Sequence, residues 1–122
     1  MPPTTPLVVQ TIKHITVVTF SDPSIVDSRV IEAIRAELDD LVEKRDRRWM
    51  ILDLSRVQHL SSAALGVLVP LQKSFEDRKG QLVLCGLRKE VGRIFKLTGL
   101  TSMFRIRKSE QAALRDFGVT IE

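Results

Sequence analysis

The stretch Leu52–Leu68, which reads LDLSRVQHLSSAALGVL, decides how the rest of the chain is arranged. Its start continues an apolar run from Trp49 and predicts a buried strand, and its polar middle predicts a turn. The apolar residues that follow Ser62 predict a helix. A serine at this junction lies at the positive end of the helix dipole, beside backbone N–H groups that have no partner in the helix. Such a position suits a phosphate and suits an ordinary helix cap, so the residues leave both roles open for Ser61 and Ser62.

Strands and helices alternate on both sides of this stretch. Two β-branched runs, at 7–9 and 15–20, predict a hairpin, and an apolar stripe from Val30 onward predicts a long helix capped by Asp27. The full predicted order is β-β-α-β-α-β-α-β-α, with a last short strand at 103–106. We therefore predict an α/β fold in which a single mixed sheet of four to five strands is parallel after the hairpin and carries its helices mainly on one face.

Glycines mark two of the predicted helix ends. The second long helix is expected to end at Lys79-Gly80, and the third helix is expected to end at Gly99 in the left-handed conformation. A final helix is predicted after Ser109, which suits the capping position.

Composition is typical of a globular domain. The chain has 122 residues, of which 43% are hydrophobic and 28% charged, and we expect residues 1–122 to form one domain. Three prolines within residues 1–6 predict a disordered lead-in. The net charge is +4, with a cationic cluster at 44–48 that we interpret as a solvated helix end.

Several functional classes are not supported by the sequence. Basic and aromatic residues are not interleaved, so we expect no direct nucleic-acid binding, and no apolar run approaches the roughly 20 residues needed to span a membrane. The first residues do not resemble a secretory signal. The single cysteine, Cys85, lies in an apolar run and is expected to be a buried small hydrophobe. We expect a cytoplasmic protein.

No enzyme signature is present. The chain lacks a phosphate-binding loop, a dinucleotide-binding glycine motif, a zinc-protease helix motif and a cluster of cysteines and histidines. The histidines are His14 and His59, and the serines at 61–62 are not in a nucleophile elbow. We expect no catalytic residues, no metal and no cofactor.

Leu52–Leu68 resembles the signature of STAS domains, the fold of bacterial anti-sigma factor antagonists. That family pattern is an apolar strand, an Asp-Leu-Ser-like turn, and then Asp-Ser-Ser/Thr-Gly-Leu-Gly at a helix start. Aligning Leu65-Gly66 with its Leu-Gly places Ser62 at the phosphorylated serine. The resemblance continues through 80–87 and 94–100.

The chain also departs from the family pattern. Ser61 replaces the family aspartate, and Ala64 replaces the glycine. The acidic family motif that follows the second strand is lost in this chain, and only Asp27 corresponds to one of its residues. The chain is basic where family antagonists are often acidic, so the surface of its partner is expected to differ.

The resemblance implies a function in partner switching. The chain would bind an anti-sigma factor serine kinase, phosphorylation of Ser62 by that kinase would end binding, and a phosphatase would reverse it. The chain would act as a monomer or weak dimer. The alternative is a non-phosphorylated STAS interaction module, either a scaffold or a regulatory subunit of a lipid-transport ABC system. The expected partner-binding residues are Asp27, Gln58, His59, Leu60, Ser61, Ser62, Ala63 and Ala64.

Overall fold

A computed structural model of the chain describes residues 5–120. The strands are β1 (Leu7–Ile12), β2 (Ile15–Phe20), β3 (Ser24–Ile25), β4 (Trp49–Asp53), β5 (His59–Leu60), β6 (Gln81–Cys85) and β7 (Arg105–Arg107). The helices are α1 (Ser28–Glu43), α2 (Ser62–Asp77), α3 (Lys89–Leu97) and α4 (Glu110–Asp116), with a 3₁₀ turn over Leu100–Ser102.

Five of these strands form one mixed sheet in the order β1-β2-β4-β6-β7. The first pair is an antiparallel hairpin, and every later pair is parallel. Lys13 and His14 turn the hairpin with φ angles of 45° and 73°, the left-handed backbone that a two-residue hairpin loop requires. The predicted mixed sheet is confirmed.

The two faces of the sheet are covered unequally. Alternate residues such as Val18, Leu52 and Leu84 pack against α1, α2 and α3 in the larger core. Their neighbours on the strands pack in a smaller core against α4. Three helices therefore cover one face and one covers the other, which confirms the predicted arrangement.

The ends of the elements refine the predictions. Asp27 caps α1, Ser109 caps α4, and Gly99 is left-handed at φ 74°, as expected. At the end of α2, Lys79 takes the left-handed conformation. A glycine follows it because a Cβ on Gly80 would lie 2.4 Å from the Arg48 carbonyl oxygen.

Three features differ from the predictions or extend them. The sequence did not predict the parallel ladder of β3 and β5, since each strand has two residues. The last strand begins at Arg105 and not at Met103, which follows the 3₁₀ turn. Of the predicted disordered lead-in, residues 1–4 lie outside the described part of the chain. The carbonyl of Pro6 accepts a hydrogen bond of 2.8 Å from Ser21 N.

Candidate functional site

The short β3–β5 ladder brings the first turns of α1 and α2 together. Ile25 pairs with Leu60, and the backbone N–H of Ser61 donates to the Ile25 carbonyl over 3.2 Å. Each strand leads within three residues into a helix, α1 after Asp27 and α2 after Ser61. The structure therefore places Asp27 beside the 58–64 segment, as a shared site requires.

Ser61 and Ser62 have different positions and different roles. Ser61 is extended, at φ −75° and ψ 163°, and its Oγ accepts a hydrogen bond of 3.2 Å from the Ala64 N–H. It is half-buried and forms the helix cap, whereas Ser62 is exposed as the first residue of α2. Because Ser61 provides the cap, the Ser62 hydroxyl is accessible at the positive end of the helix.

The other predicted partner-binding residues divide by burial. Gln58, His59 and Ala63 are exposed. Leu60 and Ala64, however, are only 7% and 5% exposed, so the expectation that their side chains form the partner surface is corrected. Leu60 faces inward from β5, where the exposed His59 precedes it, and Ala64 lies on the buried face of α2 with Leu65 and Leu68.

An apolar hollow lies beneath this surface. Ile25, Leu60, Ala64 and Leu68 are among its lining residues, and its volume is about 10 Å³. A space of that size holds at most about one water molecule. The candidate site is therefore a surface over a packed core and not a pocket for a small molecule.

Two exposed residues beside Ser62 were not identified from the sequence. Val26 is 56% exposed next to Asp27, and no pattern in the sequence identified it, because β3 ends at Ile25 and is too short to show alternation. Gly66 lies one turn after Ser62, and a Cβ there would meet nothing within 4 Å. A glycine in the middle of a helix lowers its stability by about 1 kcal/mol relative to alanine. Since packing does not require a glycine at position 66, we look for its role in binding.

The surface around Ser62 is nearly neutral. The first turns of α1 and α2 carry no acidic residue. The cap carboxylate of Asp27 accepts hydrogen bonds from the N–H groups of Arg29 (2.8 Å) and Val30 (3.4 Å) and remains half exposed. A phosphate on Ser62 would therefore add negative charge where α2 has none.

The cysteine is removed from this site. Cys85 is fully buried in β6, and burial, followed by the charges of Asp53 and Glu110, raises the pKa of its thiol to about 12. The thiol stays protonated near neutral pH, so Cys85 is the buried hydrophobe that the sequence predicted. None of the helices within residues 5–120 is long and apolar enough to cross a membrane.

Comparison with known proteins identifies the family. A sequence profile of the STAS domain matches residues 6–113. BtrV of Bordetella bronchiseptica, a candidate anti-sigma factor antagonist, is 38% identical over 93 residues, which are 76% of this chain and 79% of BtrV.

Solved structures agree on the fold. A candidate anti-sigma factor antagonist of Thermotoga maritima superposes with a TM-score of 0.81 at 20% identity, over 93% of this chain and 95% of that one. The Bacillus cell fate determinant SpoIIAA, in its phosphorylated form, superposes with a TM-score of 0.71 at 17% identity, over 90% and 98% of the two chains. Since the family profile matches most of its length and BtrV exceeds 30% identity, this chain belongs to the STAS domain family.

Proposed function

We propose that this chain is an anti-sigma factor antagonist that switches partners through phosphorylation of Ser62. The single observation that carries the proposal is that Ser61 and Ser62 have different positions at the start of α2. Ser61 caps the helix, so the exposed Ser62 can be modified without loss of the cap. The name of BtrV and the phosphorylated form of SpoIIAA support the same assignment.

In the unphosphorylated state, the surface around Ser62 docks an anti-sigma serine kinase. Asp27, His59, Ser61 and Ala63 contribute to that surface. The exposed Gly66 lets the backbone of a partner approach α2 closely. Pro70 offers no N–H to the Gly66 carbonyl, so that carbonyl can accept a hydrogen bond from the kinase.

Phosphorylation changes this surface without changing the fold. A phosphoserine adds about −1.5 to −2 charges and three acceptor oxygens. At the first position of α2 the helix dipole stabilises that charge. At a protein interface the phosphate must lose its hydration, which is costly for a charged group. The phosphate also occupies space beside Ala63, so kinase binding is lost.

The proposal assigns distinct roles to the partners. The kinase supplies ATP, a phosphatase regenerates free Ser62, and binding of the kinase releases a sigma factor. The chain itself is a cytoplasmic regulatory protein and not an enzyme. We propose that residues 1–122 work as one domain.

Affinity capture from the native cell tests the docking surface. Wild-type chain is expected to retain a serine kinase that Ser62→Asp does not retain. Ser102→Asp is the charge control, because Ser102 is exposed and its neighbour Met103 contacts Gln72, ten residues along α2 from Ser62. That separation is about 15 Å along the helix axis, so Ser102→Asp is expected to retain the kinase.

Incubation of the captured kinase with ATP, followed by mass spectrometry, tests the modification. Phosphate is expected on Ser62 in the wild type and in Ser28→Ala, and in neither Ser62→Ala nor Ser62→Asp. Ser28 is the matched control because it is the exposed first residue of α1. Phosphate on Ser28, or equal capture by Ser62→Asp, would contradict the switch, and binding without any phosphate would support the non-phosphorylated interaction module.

A further inference from the structure

We propose that the end of the sheet opposite Ser62 carries a second docking surface, which binds an acidic peptide segment of a partner protein. The surface is an open depression of about 570 Å³, called here the basic depression. Its lining residues are His14, Arg45, Asp46, Arg47, Arg48, Trp49 and Lys79.

The basic depression and the Ser62 surface lie at opposite ends of the strands. The depression is built from the hairpin turn, the α1–β4 loop and the α2–β6 turn, at the beginning of β4. Ser62 follows the other end of β4 through the 54–61 segment. Five strand residues span about 16 Å, so two partners can occupy the two surfaces at once.

The charge of the basic depression is incompletely neutralised. Arg45 Nε lies 3.5 Å from the Asp40 carboxylate, and Arg48 Nε lies 3.2 Å from that of Asp46. Within the described residues, Arg47 and Lys79 form no ion pair. Lys79 is exposed and Arg47 is half-buried, and a carboxylate matches the charge of both and the fork of the guanidinium group.

Helix C-termini account for only part of this charge. Lys44 and Arg78 are the C-caps of α1 and α2, and Arg45 and Lys79 come directly after them, where the helix dipole favours a cation. Arg47 and Arg48 lie further along the α1–β4 loop. Lys79 also holds a φ of 59°, where glycine fits without strain. Asp46 of the same depression is also left-handed, at φ 51°, so glycine would be the less strained residue at either position.

The basic depression also contains the residue types that anchor protein interfaces. Trp49 is 44% exposed, and its ring packs against Phe117 at 5.7 Å between centroids. Tryptophan and arginine dominate the binding energy of protein interfaces. An exposed indole beside unpaired cations suits a segment that combines carboxylates with an apolar side chain, and the open shape suits an extended peptide better than an enclosed small molecule.

Trp49 provides the measurement because it is the single tryptophan of the chain. A synthetic peptide rich in Glu and Asp, with one central Phe, is expected to shift Trp49 emission in a saturable way. A peptide with Gln and Asn in place of the acids is expected to cause no shift. Raising the salt concentration to about 0.5 M is expected to weaken acidic-peptide binding, since the charges are partly exposed.

Lys79→Gly is the decisive variant, because it removes a cation and places the preferred residue at a left-handed position. We expect about tenfold weaker peptide binding, with unchanged circular dichroism. Lys108→Gln is the matched control because it removes an exposed cation away from the basic depression. Lys108 lies before α4, whereas Phe117, which packs against Trp49, lies after the other end of that helix. Ser62→Asp is expected to leave peptide binding unchanged, so this result does not depend on the proposed switch.

Two outcomes would overturn the proposal. The first is an acidic peptide that fails to shift the emission, or that binds Lys79→Gly as tightly as wild type. The second is a shift produced by tripolyphosphate but not by the acidic peptide, which would make the basic depression a small-anion site.

Discussion

The two long helices begin in the same way, yet the residues around their first serines differ in charge and size. Asp27 and Ser61 are both extended caps at φ −75°, each with a side-chain oxygen bound to a backbone N–H of the first turn. An exposed serine follows each cap, Ser28 in α1 and Ser62 in α2. A serine at the first position therefore does not by itself distinguish the two helices.

The surroundings of the two serines differ. Ser28 lies between the carboxylate of Asp27 and the exposed side chain of Arg29, whereas Ser62 lies between a neutral cap and Ala63. The exposed Gly66, one turn later, extends the region of small side chains around Ser62. A neutral cap and small neighbours, and not the serine alone, are the features on which the proposed docking surface of α2 rests.

The largest effect is expected from enlarging that small-residue surface. Gly66→Gln should weaken kinase binding at least about 100-fold, or about 2.7 kcal/mol, because a side chain would occupy the space where the partner approaches. Ala36→Gln, on the exposed face of α1, is the matched control and should bind normally. Isothermal titration calorimetry with the purified kinase measures both.

Fold stability separates that result from unfolding. Gly66→Gln should raise the free energy of unfolding by about 0.5–1 kcal/mol, since glycine is a poor helix former. Equal kinase affinity for Gly66→Gln and wild type would show that α2 is no more a docking surface than α1.

A smaller effect is expected at the caps. Ser61→Ala should lower the free energy of unfolding by about 1 kcal/mol, because the Ala64 N–H loses its acceptor. Ser62→Ala, which leaves the cap in place, should change it by less than about 0.5 kcal/mol. Urea unfolding followed by circular dichroism measures the pair, and equal losses would contradict the assignment of the cap to Ser61.

A negative charge at the first position of α2 should be tolerated. Ser62→Asp is expected to raise the free energy of unfolding by about 0.3–1 kcal/mol at low salt, through the helix dipole. A loss above about 1 kcal/mol in urea unfolding would contradict a switch that preserves the fold.

The smallest effect concerns pH at the start of α4, where Glu110 follows the cap Ser109. Burial, followed by the hydrogen bond and charge of Asp53, raises the pKa of Glu110. A raised pKa in the folded state means that folding retains the proton, so this group stabilises the fold below its unfolded pKa and loses that contribution as pH rises through its folded pKa.

Glu110→Gln should remove that dependence. The wild type loses the contribution of Glu110 as pH rises, and the variant does not. The melting temperature of the variant relative to that of the wild type should therefore be higher at pH 7 than near pH 4.5, the ordinary pKa of the group. Thermal unfolding at both values measures the difference, and a difference that does not change with pH would contradict the assignment to Glu110.

Periodicity predicted much of the fold, because most elements are long enough to show it. The stripe in α1 and the apolar run in β4 each have a direct counterpart in the core. The β3–β5 ladder escaped prediction because two residues cannot show alternation. That ladder joins Asp27 to Ser62, so the site could be predicted as residues but not as a surface.

The split between Ser61 and Ser62 also depended on geometry. Both residues suit a cap by type, and the backbone conformation decides which of them accepts the hydrogen bond. Likewise, the burial of Leu60 follows from the path of the ladder over the core, which the local sequence does not reveal.

The most direct test compares one kinase with two forms of the same chain. Chain phosphorylated at Ser62 alone should bind the kinase at least about 100-fold more weakly than unmodified chain, while it unfolds at a urea concentration no lower than that of the unmodified chain. Equal kinase affinity for the two forms would contradict the account, because the phosphate would then occupy the helix start without acting as a switch.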